Sequence, residues 1–310
     1  VFYGEKVKQE YVFLPGIKST ANIYRVIKLL FNMKKIALFA MLCSVVFSTF
    51  SQVRPAGRKH FQKFSKSTTY VVEDRDPFSE FNKYMKEAMD RHWKITPYKV
   101  ISFAEFERMR ANDNASFMIL AEIKEKNVDQ VYQFINFVMG HKKREFERMP
   151  DLASVPLAYR DANDLNYLYK MGAFVKFMQT HANERDATPR MRLANFRNVN
   201  NPELKNMELW LLEHELAPNI NTVEKIKQYY PYEVKIVTRE QIAEAIATDN
   251  KKVAFLHKIG PEDTTRSGRG KCWKFVVSAA EGKVLFSANH DVDRNNPDAL
   301  LASDLQNMAK

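Results

Sequence analysis

Cysteine is nearly absent: there are two in 310 residues. Cys43 lies in an apolar segment near the start, so Cys272 stands alone in the remainder and no intrachain disulfide or CxxC redox pair is available there. Its setting, Cys272-Trp-Lys-Phe-Val-Val277, is that of a packed core residue rather than a reactive thiol. No apolar run approaches the ~20 residues of a permanent bilayer-crossing helix. None of the seven histidines has another at i, i+4, so no helical face offers two imidazoles to a metal. There is no GxSxG nucleophile elbow. Gly270-Lys271 is preceded by Thr265 where a phosphate-binding P-loop has its first glycine, and is followed by Cys272 where Ser or Thr would hold magnesium.

What is present begins with a basic surplus, 48 Lys plus Arg against 37 Asp plus Glu. Part of it belongs to a leader. Met33-Lys34-Lys35 opens an apolar stretch, Ile36 to Phe47, broken only by Ser44 and followed by Ser48, Thr49 and Ser51. A charged start, a short apolar core and small residues read as a secretory signal peptide over 33–51, with Gln52 first after cleavage. Residues 1–32 then read as an over-extended start, or as a cytoplasmic extension before a signal anchor. Beyond residue 51 the balance falls to 41 against 35, a net +6, which is too mild to imply nucleic-acid binding. The basic, acid-free stretch 52–67 reads as a flexible arm, solvated or tethered to anionic envelope components.

The most informative feature is an internal duplication. Pro97-Tyr98-Lys99-Val100 leads to Ser102-Phe-Ala-Glu105, Asn112-Asp113-Asn114 and the apolar run Phe117 to Ala121. Pro231-Tyr232-Glu233-Val234 leads to Thr238-Arg-Glu-Gln241, Thr248-Asp249-Asn250 and Val253 to Leu256, with the same asparagine-to-strand spacing. Ser102 with Glu105 and Thr238 with Gln241 are S/T-x-x-E/Q capping boxes, each ending a strand and starting a helix.

Extending outward, each copy reads as β-α-β-α-β-β-β-α. The elements fall at 68–73, 77–92, 98–101, 103–111, 116–123, 130–139, 153–159 and 162–183, then at 207–216, 221–230, 232–237, 239–248, 252–258, 272–280, 283–289 and 297–309. Glu281-Gly282 marks a hairpin. The expected fold is α/β with an α+β edge: two tandem modules, 68–183 and 207–310, joined by a linker at 184–206, each a mixed sheet covered by helices. The order approaches a thioredoxin-like fold with an added strand, without its CxxC; a βαβ module of lipoprotein or secretin-associated type compares equally well.

Sites are sparse. Thr264 to Lys271 is a basic loop in which Arg266, Arg269 and Lys271 are candidates for holding an anion, against the simpler reading of a solvated hairpin. Glu213-His214-Glu215 resembles a metal-motif fragment, yet its place in an apolar strand sends neighbours to opposite faces. Asp291, Asp293 and Asn295 alternate as in a calcium loop that lacks its glycine and terminal glutamate, and Pro297 reads as the first residue of the last helix. The Leu165, Leu168, Met171, Gly172, Val175 and Met178 stripe is core, or a groove for a partner. No cofactor and no catalytic set emerge. The copies share caps and core rather than polar sites, which favours a non-enzymatic binding or scaffold module over a small-ligand or hydrolytic site in the cleft between modules.

Phe50-Ser51-Gln52, Val155-Pro-Leu-Ala-Tyr159, Tyr169-Lys-Met-Gly172 with Phe177-Met-Gln179, and Pro231-Tyr232 together resemble exported two-repeat proteins of the Bacteroidetes type over most of 33–310. The resemblance implies a periplasmic or secreted location in the cell envelope; for a binding module there, the expected partner is an envelope protein or an anionic envelope component. It supplies no catalytic residues.

Overall fold

The computed structural model describes residues 54–76, 79–124, 131–143, 145–160, 162–183, 199–261 and 270–310. The leader reading at 33–51 and most of the linker lie outside them. Both capping boxes form. Ser102 Oγ accepts the Glu105 N–H at 3.3 Å while Glu105 Oε2 accepts the Ser102 N–H at 2.9 Å. Thr238 and Gln241 make the same exchange at 3.3 and 2.9 Å. Each box satisfies two N–H groups that the first helical turn would leave unpaired, so strand gives way to helix where the sequence predicts.

In the first repeat β1 (Arg54–Pro55) and α1 (Arg58–Phe64) precede β2 (Thr69–Val72), α2 (Glu80–His92), β3 (Tyr98–Ile101), α3 (Phe103–Met109), β4 (Ser116–Lys124), β5 (Val131–Met139), β6 (Pro150–Tyr159) and α4 (Met171–Asn183). The second runs β7 (Glu208–Leu211), α5 (Val223–Lys227), β8 (Val234–Ile236), α6 (Arg239–Ala247), β9 (Val253–Ile259), β10 (Lys271–Ser278), β11 (Val284–Asp291) and α7 (Ala302–Ala309). The sheet orders are β1-β6-β5-β4-β2-β3 and β11-β10-β9-β7-β8. Apart from the short β1 they coincide. β2 is parallel to β3 and β4, and β7 to β8 and β9, while the two strands after each trio are antiparallel. The architecture is two mixed sheets covered by helices, the α+β form of the expected fold.

Four local expectations change. The segment expected as a flexible arm is ordered from Arg54: β1 pairs with β6, and α1 sinks Phe64 against Trp93 and Phe137. Basic composition did not reveal that one aromatic anchors it. The strand expected over 207–216 stops at Leu211, and Glu213–Glu215 forms a 3-10 turn. Residues 162–170 contain two 3-10 turns, so the long helix starts only at Met171. Pro297 does not open α7; its carbonyl meets His290 Nε2 at 2.9 Å and the helix begins at Ala302.

Phe50–Lys310 is one compact unit, and a single apolar core runs from Val71, Met85 and Phe137 of the first repeat to Phe255, Trp273 and Phe275 of the second. α3 covers the other face of the first sheet, and α5 and α7 the other face of the second. Helix α4 is the shared piece. Lys176 Nζ donates to the carbonyls of Ile246 (2.6 Å) and Ala279 (2.8 Å) and pairs with Asp249 at 2.5 Å, so one buried ammonium caps the end of α6 from across the seam.

The β10–β11 hairpin turns at Gly282, as Glu281-Gly282 predicts, with φ +68°. A Cβ there would sit 2.3 Å from the Ala173 carbonyl oxygen and 2.5 Å from the Phe177 nitrogen of α4. Gly282→Ala is therefore expected to cost roughly 2–4 kcal/mol through left-handed strain and displacement of α4. Urea denaturation measures it; a loss below about 1 kcal/mol, the cost of the backbone strain alone, would show that the hairpin does not brace the helix.

Candidate binding cleft at the repeat seam

Where α2 and α6 approach the start of α4, the repeats leave a cleft of about 760 Å³. Glu87, Asp90 and Arg91 of α2 form one wall and Arg239, Glu240 and Ala243 of α6 the other. Leu168, Tyr169, Met171 and Gly172 lie between them, with Leu165 54% exposed at the rim. Each wall follows from helical periodicity: Phe81, Met85 and Ala88 of α2 face the core, as do Ile242, Ala245 and Ile246 of α6, which leaves the charged side of each helix facing out. Gly172 sets how closely the three helices meet. A Cβ on it would lie 2.9 Å from Ile246 Cγ2 and 3.0 Å from His92 Nε2.

The charges in the cleft are held in place. Asp90 takes hydrogen bonds from Lys86 at 2.6 Å and from the Tyr98 hydroxyl, and these keep its carboxyl below the usual range, Lys86 most strongly. Burial, reinforced by Asp90, pushes Tyr98 up to about 12. Arg239 Nη2 donates to Asn166 Oδ1 at 2.6 Å, tying α6 to the turn before α4. His92 is 8% exposed, and burial together with the Lys176 charge lowers its pKa to about 4, so it presents a neutral imidazole near pH 7. No serine, threonine or cysteine is among the residues lining the cleft, and its histidine does not titrate near neutrality.

A second concentration of charge lies under α7. Lys258 Nζ reaches Asp298 Oδ2 at 2.6 Å. Lys274 Nζ reaches Asp304 Oδ2 at 2.5 Å and donates to His290 Nδ1 at 2.8 Å, while His290 Nε2–H donates to the Pro297 carbonyl. Cys272 is fully buried beside them, and burial, then the Asp298 charge, pushes its thiol up and away from reactivity. Both ring nitrogens of His290 are engaged, so no Cys–His dyad exists although the two residues pair across β10 and β11. These groups bind the sheet to α7.

Of the anion-site candidates, Arg266 and Arg269 lie outside the described residues. Lys271 opens β10, and its backbone is gripped by Tyr159 Oη, which accepts its N–H at 3.0 Å and donates to its carbonyl at 2.7 Å. Its ammonium lies 5.9 Å from the centre of the Trp273 ring. Glu215 is folded inward, 3.5 Å from the buried Lys170, rather than standing on an exposed strand edge. Asp293 accepts the N–H groups of Asn295 and Asn296 at 2.7 and 2.8 Å, which makes it a turn residue. No group of three or more His, Cys, Asp or Glu able to hold a metal occurs among the described residues. Sequence reasoning passed over the buried lysines, Lys170, Lys176 and Lys274, although Lys176 between Phe174-Val175 and Phe177-Met178 and Lys274 between Trp273 and Phe275 interrupt apolar runs. Compared with known proteins, the chain matches no family model, no curated protein and no solved structure.

Proposed function

We propose that this chain is an exported cell-envelope protein that works as a non-enzymatic binding module, and that its ligand-holding surface is the cleft between α2 and α6. One observation carries the reading: the two repeats, fused into one core, leave an opening of about 760 Å³ at their junction, within the ~300–1,000 Å³ of ordinary ligand pockets. An apolar floor between two walls of mixed charge fits an amphipathic polypeptide segment of an envelope partner. Apolar side chains would settle on Leu165 and Tyr169, over the buried Leu168 and Met171, while polar ones meet Glu87, Arg91 and Glu240. The envelope location rests on the Met33-Lys34-Lys35 leader pattern.

Ala243 is partly exposed on the α6 wall, so a bulky residue there fills the cleft without entering the core. Screening residues 52–310 by fluorescence polarisation against a random heptapeptide library is expected to return amphipathic sequences. Ala243→Trp should weaken them at least tenfold, about 1.4 kcal/mol, with thermal stability unchanged. Binders indifferent to Ala243→Trp, or a library without binders, would remove the cleft from consideration.

A further inference from the structure

A second opening lies on the first repeat, away from the seam. β2 is the middle strand of the parallel trio β3-β2-β4, and the helices that follow β2 and β3 pack on opposite faces of the sheet. The chain therefore parts at the carboxyl ends of β2 and β4, the place where open α/β sheets characteristically hold ligands. A crevice of about 530 Å³ occupies that point. Its charged edge is three consecutive residues after β2, Glu73, Asp74 and Arg75, and its apolar wall is Phe103, Phe106 and Ile119.

The charges differ in how they are engaged. Glu107 is paired with Arg110 at 2.5 Å, and Glu122 with Arg160. Arg75 is exposed, and its guanidinium carbon lies 3.7 Å from the centre of the Phe103 ring. Among the described residues no carboxylate pairs with Arg75, and Glu73 has no ion pair. The matching turn after β7 is closed: Leu216 bridges to Leu300, and Glu215 folds onto Lys170. The two copies therefore differ in the loop that follows the first strand of each parallel trio.

We propose that this crevice binds a free α-amino acid with an apolar side chain. Its carboxylate would take the Arg75 fork, its ammonium Glu73 and Asp74, and its side chain the partly exposed Phe103, which is backed by the buried Phe106 and Ile119. A monoanion would leave the acidic pair unanswered and face its repulsion; a monocation would leave Arg75 unanswered. Both charges on one small body are what the loop complements.

Isothermal titration of the 52–310 protein with L-phenylalanine and L-leucine tests the idea, with 3-phenylpropionate, phenethylamine and glycine as comparison ligands. The two apolar amino acids should bind at least tenfold more tightly than any of the three. Arg75→Gln should cost L-phenylalanine at least tenfold while leaving phenethylamine unchanged, and Glu73→Gln with Asp74→Asn should cost it a similar factor. These are surface positions on a turn, so their thermal unfolding should match the parent. Ala243→Trp should leave this binding intact, which separates the crevice from the seam cleft. No heat from either amino acid at millimolar concentration would overturn the assignment. So would equal binding of the single-charge analogues, or indifference to Arg75→Gln.

Discussion

Lys274→Met is expected to destabilise the fold by about 3–5 kcal/mol, the usual cost of stripping one partner from a buried ion pair. The ammonium is 1% exposed and its partner Asp304 is 5% exposed, so neither can turn to water when the other is lost. Asp304 has a second duty, because Oδ2 also accepts the Leu301 N–H at 2.9 Å at the start of α7. With the lysine gone, an unpaired carboxylate would sit between the sheet and the helix it caps. The double variant Lys274→Met, Asp304→Leu should recover most of the loss, since apolar replacements of buried pairs are often neutral or better. A residue of about 1 kcal/mol should remain for the missing cap. Urea midpoints at constant m-value measure the cycle. A single variant within 1 kcal/mol of the parent would show that the pair contributes nothing the sheet and α7 need.

Acidification should weaken the protein well before its carboxylates protonate. Three imidazoles are held neutral around the seam by burial: His92 and His181 at about 4, and His257 at about 3. His257 sits beneath Phe174, with Nε2 2.9 Å from the Pro156 carbonyl, and the neighbouring charges of Lys170 and Lys258 lower it further. In the unfolded chain these groups titrate near 6.5, so between pH 6.5 and 4 the unfolded state binds more protons and stability falls as pH falls. His181 and His257 together are worth on the order of 5 kcal/mol, comparable with the whole stability of many domains. Asp90, Asp113 and Glu208, which ion pairs and hydrogen bonds hold below the usual carboxylate range, add their own loss only below about pH 4. Urea midpoints at pH 7.5, 6, 5 and 4 should descend steadily, and His257→Gln should flatten the slope. A midpoint constant from pH 7 to 4.5 would mean that these rings are not enclosed as described.

Much of the architecture can be read along the chain because it is written in local devices. Ser102-Glu105 and Thr238-Gln241 start helices through bonds spanning three residues, and Gly282 admits a turn most residues resist. The apolar runs at 117–121 and 253–256, too short for helices and bounded by turn residues, read as interior strands. Such signals depend on neighbours in sequence, so the duplicated order of strands and helices emerges from them. Of the cleft, only the stripe Leu165, Leu168, Met171 and Gly172, which reads as core or as a groove for a partner, could be found this way. Glu87, Tyr169 and Ala243 belong to three elements whose meeting depends on how α4 lies between two sheets, and Gly172 gives no sign in sequence of the three helices that converge on it.

The amino-acid order alone determined most of the element types, the twofold repetition and the absence of CxxC and GxSxG motifs, since each is a matter of spacing or composition. Tertiary structure decided that the two copies share one core, that lysines 170, 176 and 274 are buried, and that openings remain at the seam and beyond β2. The reason is that burial is a property of facing surfaces. A lysine flanked by Phe174 and Phe177 is driven inside only when the carbonyls of Ile246 and Ala279, 70 and 103 residues along the chain, arrive to receive its protons.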